Sequence, residues 1–202
     1  MPTPLRVRQA LRSATADWHD RVDRAFSRFD LGDRASYGRF LMAQAGAHLA
    51  VEAALESGDV ASVLADWPAR RRSQLIRNDL AALGLSAPRA VAIPGFEGVP
   101  ALLGAVYVLE GSRLGGALLK RSVPADFPTS FLGAGNAGAW RRLLEALEEK
   151  VRTEDETTAA TSAACRVFTL FEGAALGAQK PDPLENAARA PVELPGSHQG
   201  VD

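Results

Sequence analysis

The chain has 202 residues, 47% of them hydrophobic and 23% charged, and its formal net charge at pH 7 is −1. This length and composition are typical of one soluble globular domain. The near-zero net charge argues against nucleic-acid binding, which requires a strongly basic domain or face. Cys165 is the only cysteine, which excludes an internal disulfide and any CxxC redox or metal motif.

No membrane span or secretory signal is expected from the sequence. The longest apolar run, Ala101 to Leu109, ends at Glu110 and is too short to cross a bilayer. The N-terminal segment carries Arg6, Arg8 and Arg12 but lacks the apolar centre of a signal peptide. We therefore expect a cytoplasmic protein without a membrane partner.

Hydrophobic periodicity predicts helices almost throughout the chain and no alternating strand. The first helix is predicted to begin with Thr3 as N-cap and Pro4 as its first residue. Its apolar stripe is spaced by threes and fours and consists of Val7, Leu11, Ala14, Trp18, Val22 and Phe26. A second helix is predicted from about Ser36 to Glu56, and a third from about Val60 to Leu83 with an interruption near Trp67-Pro68.

A connection rich in Pro, Ala and Gly, from about Leu85 to Pro100, precedes an apolar helix predicted from about Pro100 to Lys120. A loop follows from about Ser122 to Gly138. Two more helices are predicted, from about Ala139 to Thr153 and from about Glu154 to Gln179. The last helix carries an apolar series that predicts burial, consisting of Cys165, Phe168, Leu170, Phe171 and Leu176.

From residue 180 onward the sequence is polar and rich in Pro and Gly, which predicts a disordered tail. No internal repeat separates a second domain. The sequence therefore predicts an all-α fold with one helical domain over residues 1–179 and a tail over residues 180–202.

The predicted helix from 100 to 120 contains glycines in an unusual arrangement. Gly111 and Gly115 are four residues apart, so their bare backbones share one face, and Gly104 lies one heptad before Gly111. Each glycine inside a helix costs roughly 1 kcal/mol relative to alanine. Something must therefore approach this face more closely than a Cβ would allow. Either another helix or a flat ligand satisfies that requirement.

The chain has three histidines, of which His198 lies in the predicted tail. His19 is one residue off the apolar stripe of the first helix, where an imidazole points either into a cleft or toward backbone and solvent. His48 is on the apolar stripe of the second helix, with Glu52 four residues later. Such a pair can serve one metal ion, but the Glu-x-x-His repeats of a di-iron bundle are missing from the sequence. His48 is therefore predicted to be a core or cleft-lining residue.

Other catalytic patterns are not found in the sequence. It contains no Gly-x-Ser-x-Gly elbow, phosphate loop or dinucleotide fingerprint. The run Arg70-Arg71-Arg72 is predicted to be a solvated helix turn, and Cys165 a small buried apolar residue.

Two blocks of the sequence together resemble the haem oxygenase family, in particular the bacterial biliverdin-producing enzymes often associated with bacteriophytochromes. The block from Leu11 to His19, LRSATADWH, is similar to the family's N-terminal helix, which ends in the proximal haem-ligand histidine. The block from Tyr107 to Gly116, YVLEGSRLGG, resembles the distal helix that bends over the haem face. The order and separation of the blocks, the chain length and the helical pattern also match, up to about Gln179.

The resemblance implies a helical bundle that holds haem between an N-terminal proximal helix and a Gly-rich distal helix. His19 would be the axial ligand of the haem iron. The residues with a catalytic role would be Gly111, Ser112 and Gly115. The haem-binding residues would be His19, Arg12, Gly111, Gly115, Gly116 and Lys120, with Arg121 as a further candidate. Among these, the basic side chains would contact the haem propionates.

Ser112 marks a departure from the commoner family pattern. Many members have an aspartate immediately after the first distal glycine, where it organises a network of water molecules. A serine hydroxyl can donate and accept hydrogen bonds but supplies no charge. The distal network of this chain must therefore depend partly on other groups.

The resemblance also implies an activity and its partners. Haem would be both substrate and cofactor, O2 the co-substrate, and the products biliverdin, ferrous iron and carbon monoxide. Electrons would come from an external ferredoxin or reductase, because the sequence has no flavin or nicotinamide motif, and a bacteriophytochrome could receive the biliverdin. One alternative is a haem sensor or carrier that does not turn over. Another is a helical protein of the related thiamin-degrading fold group, which would not bind haem.

Overall fold

The computed structural model describes residues 6–133, 135 and 138–178. Helices account for all the regular secondary structure in these residues, so the all-α prediction is confirmed. The α-helices are α1 (Arg6–Phe26), α2 (Arg34–Ser57), α3 (Val60–Val63), α4 (Trp67–Arg70), α5 (Ser73–Ala82), α6 (Gly98–Leu119), α7 (Ala139–Lys150) and α8 (Glu154–Ala178), and a 3₁₀-helix covers Lys120–Ser122. The predicted cap at Thr3 and Pro4, the predicted tail and His198 lie outside the described residues.

The predicted interruption of the helix from Val60 to Leu83 is confirmed, but the chain breaks twice there and forms three short helices. It leaves helical geometry at Leu64 (φ −128°, ψ 94°) and at Arg71 (φ −63°, ψ 137°). The first break lies just before Trp67, and Pro68 itself is helical. It lies in the first turn of α4, where the missing N–H has no helical partner to lose.

Helix α8 lies at the centre of the bundle, and α1, α2 and α6 all pack along it. Its Phe168 and Phe171 are buried as expected, together with a series of alanines on the same helix. Leu176, which was expected to be buried, is 45% exposed. Small alanine side chains let the neighbouring helices approach α8 closely.

Gly104 is the clearest example of this close approach. A Cβ built on Gly104 would lie 2.0 Å from the carbonyl oxygen of Ala160 on α8. The glycine therefore permits backbone-to-backbone packing of α6 on α8. Another helix, and not a ligand, explains this member of the glycine series.

The helical stretch Gly98–Ser122 is long and apolar enough, by length and composition alone, to cross a membrane. However, 56% of its apolar window is buried against the rest of the fold. The stretch also carries Glu110 and Arg113, whose side chains form a buried ion pair at 3.3 Å. These features are those of a core helix in a soluble protein.

The loop after the 3₁₀-helix is held in place by two buried groups. The carboxylate of Asp79 accepts hydrogen bonds from the backbone N–H of Ser130 at 3.0 Å and of Phe131 at 2.8 Å. The hydroxyl of Tyr37 donates to the carbonyl oxygen of Pro128 at 2.7 Å. Together these bonds hold Phe131 and the adjacent residues beneath α6.

Candidate functional site

A cleft separates α1 from α6. Both helices pack along α8, but they make almost no direct contact with each other within the described residues. Two adjoining cavities of about 430 and 590 Å³ occupy the gap, a size typical of small-molecule sites. The residues that line both cavities are His19, Val108, Gly111, Gly115 and Phe168.

His19 projects from α1 into this cleft. Its side chain is 64% exposed, and its ring centroid lies 6.0 Å from that of Phe168. The Nδ1 atom lies 3.0 Å from the Oδ2 atom of Asp23, one helical turn later. Because a carboxylate can only accept, Nδ1 is the donor, and the neutral tautomer that donates from Nδ1 has its lone pair on Nε2. This is the arrangement of a metal-ligating histidine with its second nitrogen fixed by a carboxylate.

Gly111 and Gly115 form the part of α6 that borders the cleft. A Cβ built at either position would meet no atom within 4 Å. No neighbouring helix therefore explains these two glycines, in contrast to Gly104. At Gly116, a Cβ would lie 3.4 Å from the Leu132 side chain, which is an ordinary packing distance. The structure thus divides the series into a packing glycine and two glycines that face open space.

The wall of the cleft is largely apolar. Helix α1 and the segment after it contribute Val22, Phe26, Phe29 and Leu31; α6 contributes Val108, Leu118 and Leu119; the loop contributes Phe131 and Leu132; and α8 contributes Phe168 and Phe171. Gln44 adds a polar side chain from α2. Leu118 is 63% exposed. Leu119 beside it is 39% exposed, and adjoining exposed apolar side chains in a concave wall are typical of a ligand surface.

Basic side chains lie at one end of the cleft. Arg12 lines the larger cavity beside Tyr107 and Trp140, whose rings pack 5.2 Å apart. Burial raises the pKa of Tyr107, and the positive charges of Arg12 and Arg8 act in the opposite direction. The two arginines therefore place positive charge near Tyr107 at this end of the cleft. Lys120 lies in the 3₁₀-helix against Gly133 and is not among the residues that line either cavity.

The predicted solvated turn at Arg70-Arg71-Arg72 is wrong for two of its three residues. Arg70 and Arg72 are 2% and 1% exposed. Because the backbone at Arg71 is extended, its two neighbours face one side of the chain and Arg71 faces the other. Arg71 pairs at the surface with Glu56, at 2.7 Å.

Arg72 reaches α6. Its Nη2 atom donates to the carbonyl oxygen of Leu109 at 2.8 Å and to Ser112 Oγ at 2.7 Å. The guanidinium also lies over the ring of Phe131, 4.6 Å from its centroid. Burial and the neighbouring Arg113 lower the pKa of Arg72 to about 9, so the side chain remains charged at neutral pH.

Glu52 and His48 anchor the segment that carries Arg72. The carboxylate of Glu52 accepts from the backbone N–H groups of Arg72 at 2.7 Å and Ser73 at 3.1 Å, and from the Ser73 hydroxyl. It is also 2.7 Å from His48 Nε2. Burial alone would raise the pKa of Glu52, but the hydrogen bonds from His48, Ser73 and Arg72 outweigh it and lower the pKa. Burial and the charge of Arg72 lower the pKa of His48, so its imidazole is neutral.

Arg70 closes a second buried cluster farther from the cleft. Its guanidinium donates to both carboxylate oxygens of Asp66, at 2.7 and 3.0 Å, and to the carbonyl oxygen of Ala139. Glu110 lies 3.5 Å from its Nη1 atom. The Arg113 side chain donates to the Arg70 carbonyl. This cluster ties α4, α6 and α7 together.

Sequence comparison finds a relative that identifies the family. A haem oxygenase of Xanthomonas campestris pv. campestris (strain 8004) is 30% identical to this chain over 112 residues, which span 52% of this chain and 67% of that protein. The chain belongs to the haem oxygenase family. No family model matches it.

Two solved haem oxygenases share the fold. The NO- and CO-bound haem oxygenase from Neisseria meningitidis superposes with a TM-score of 0.74 at 21% identity, over 85% of this chain and 91% of that one. The haem oxygenase from Leptospira interrogans superposes with a TM-score of 0.65 at 20% identity, over 84% of this chain and 98% of that one. At these identities the likeness shows a haem oxygenase fold.

Most of the residues chosen from sequence converge on the cleft, and others were missed. Gly111, Ser112 and Gly115 line it together with His19, and Arg12 lies at its end. Asp23 was missed, although its position four residues after His19 on one helix could have revealed it. Arg72 was also missed, and no local signal marks it, because its partners are 20 to 40 residues away in sequence.

Proposed function

We propose that this chain is an oxygen-dependent haem oxygenase, which converts haem to biliverdin, ferrous iron and carbon monoxide with electrons from an external donor. One arrangement carries the proposal. His19, with its Nε2 lone pair left available, and the bare backbone at Gly111 and Gly115 line the same cleft from different helices.

The residues present fit a haem. A flat macrocycle needs two close, unobstructed surfaces, and open space above Gly111 and Gly115 supports one of them. The largely apolar lining suits a porphyrin, and its propionates would require basic partners such as Arg12 at the end of the cleft. Bound haem would supply both the iron that reacts with O2 and the ring that is cleaved.

Each group of the chain then has a definite task. His19 would bind the iron through Nε2, and Asp23 would hold the imidazole in the required tautomer and orientation. Gly111 and Gly115 would let the distal backbone lie close to the ring. The apolar wall would exclude bulk water. Ser112 would donate or accept hydrogen bonds on the distal side.

The partners follow from the proposed reaction. A ferredoxin or a reductase would deliver the electrons, because the sequence has no flavin or nicotinamide motif of its own. A bacteriophytochrome as recipient of the biliverdin rests on the family resemblance alone.

The deciding experiment is an aerobic absorption time course of the hemin-reconstituted protein after addition of an electron donor, with catalase present. Catalase removes the free peroxide that degrades haem nonspecifically. Loss of the Soret band with growth of a biliverdin band is the expected result. A Soret band that survives reduction would indicate a haem carrier or sensor, and no Soret band at all would refute haem binding.

A pair of variants assigns the ligand. His19→Ala should abolish the histidine-ligated haem spectrum while the helix content measured by circular dichroism stays unchanged. Asp17→Ala alters an exposed side chain on the same helix and should retain the wild-type spectrum. Loss of the spectrum in both variants would show that damage to α1, and not loss of a ligand, explains the result.

A further inference from the structure

Ser112 is where a buried polar network meets the cleft. Among the described residues of α6 that line the 430 Å³ cavity, it alone has a polar side chain. Arg72 lies behind it and is almost completely buried, and Glu52 holds the backbone of Arg72 in place. The distal helix therefore presents one hydroxyl to the cleft, backed by one buried cation.

The hydrogen bonds around Leu109 leave this hydroxyl free to turn. Ser112 Oγ donates to the carbonyl oxygen of Leu109 at 2.9 Å, the local back-bond common for serine in helices. The same carbonyl also accepts from Arg72 Nη2, whose second hydrogen points at Ser112 Oγ. If the hydroxyl proton rotates away, the Leu109 oxygen keeps its bond from Arg72, and Ser112 Oγ keeps its bond as an acceptor.

We infer that Arg72 is a positioning residue. It enables Ser112 to turn its hydroxyl group into the cleft and donate a hydrogen bond to an anionic ligand bound there. This inference rests on the proposed haem site. The charge of Arg72 polarises the hydroxyl, because a group that accepts a charge-assisted hydrogen bond becomes a stronger donor in turn. The buried charge of Arg72 thus makes Ser112 a stronger hydrogen-bond donor on this side of the cleft than a serine without such a partner.

The test uses fluoride as a probe of distal hydrogen-bond donation. Fluoride binds ferric haem as an anion and accepts hydrogen bonds, so its dissociation constant reports the donor without any turnover. Optical titration of the ferric haem complex of the wild type, Ser112→Ala and Arg72→Met should show fluoride affinity weakened roughly tenfold or more in both variants. Arg71→Met removes the same charge from the neighbouring surface position and should leave the affinity unchanged.

The double variant Arg72→Met/Ser112→Ala separates positioning from a direct field effect. If Arg72 acts through Ser112, the double variant should bind fluoride no more weakly than Ser112→Ala alone. Additive losses would overturn the inference by showing that Arg72 acts on the ligand independently. Arg72→Lys retains the charge with fewer donors and should recover part of the affinity, and this variant also serves if Arg72→Met does not fold.

The outcomes distinguish this inference from the proposed function. Equal fluoride affinity in every variant, with a normal Soret band, would overturn the inference alone. Suppose that the wild type binds haem and the variants show the coupled losses of fluoride affinity, but the wild type forms no biliverdin. That result would support the inference and refute the oxygenase activity. A wild-type chain that takes up no haem would overturn both.

Discussion

Asp23 lies one turn after His19 on α1, and its Oδ2 atom is 3.0 Å from His19 Nδ1. Both side chains are largely exposed, so the pair contributes little to folding. In the proposed haem site, its role would be to fix the tautomer and orientation of the imidazole. Removing a carboxylate partner of a metal-ligating histidine typically lowers metal affinity or activity ten- to a hundredfold.

Asp23→Ala should therefore weaken hemin binding roughly tenfold or more while leaving the unfolding midpoint in urea nearly unchanged. Hemin titration followed at the Soret band measures the first quantity, and chemical denaturation of the apo-protein measures the second. Asp17→Ala, on the same helix, provides the control. Equal hemin affinity in the wild type and Asp23→Ala would show that the carboxylate does not support the ligand.

The two kinds of glycine on α6 should respond oppositely to alanine. Gly104→Ala forces a Cβ against the backbone of Ala160 and should lower the free energy of unfolding by about 1–3 kcal/mol. Gly115→Ala meets no neighbour and should raise it by up to about 1 kcal/mol, because alanine is the better helix former. Urea denaturation of both apo-variants tests the pair. A destabilised Gly115→Ala variant would mean that this position is packed in solution.

A large side chain at the open position should obstruct the cleft. Gly115→Phe is expected to reduce hemin affinity or stop turnover, because the added ring occupies the space above α6. Gly177→Phe is the control. A Cβ at Gly177 on α8 would also meet no atom within 4 Å, but Gly177 lines neither cavity. Unchanged hemin affinity and biliverdin yield in Gly115→Phe would refute the close-approach argument.

The loop beneath α6 should depend on Asp79. Asp79→Ala leaves the backbone N–H groups of Ser130 and Phe131 without their acceptor and should cost about 2–4 kcal/mol of stability. Hemin affinity should fall as well, since Phe131 lines the cleft. Asp126→Ala, an exposed acidic residue near the same loop, should change neither quantity. Similar stability of Asp79→Ala and wild type would contradict the anchoring role.

The buried histidine should make stability depend on pH in a defined range. His48 Nε2 contacts Glu52, while Nδ1 is buried without a hydrogen-bond partner among the described residues, so the folded state resists a second proton. The pKa of His48 is lowered on folding, so its contribution is present above the unfolded pKa of about 6.5 and is lost as the pH falls. Between pH 7.5 and 5.5 this loss should amount to about 1 kcal/mol.

Urea denaturation at the two pH values measures this change, and His48→Gln should flatten it. The contribution of Glu52 has the same sign but is lost at lower pH, below its unfolded value of about 4.5. The range from pH 7.5 to 5.5 therefore separates the contribution of His48 from that of Glu52. An equal dependence in wild type and His48→Gln would show that other groups control it.

Several features could be predicted from sequence because they depend on neighbours along one helix. The period of apolar residues predicted α2 and α8 to within a few residues, since one helix face must be buried. The unusual glycines of α6 indicated a close approach, because an unexplained glycine is costly within a helix. What approaches them could not be predicted, because that depends on which helix lies opposite each residue.

The tertiary structure alone decided the remainder. It assigned Gly104 to Ala160 and left Gly111 and Gly115 open, because α1 and α6 are both held by α8 and not by each other. It also showed that Arg72, expected at the surface, is buried and donates to Ser112. A run of arginines favours solvent unless distant carboxylates and carbonyls compensate for burial, and those partners are brought together only by the fold.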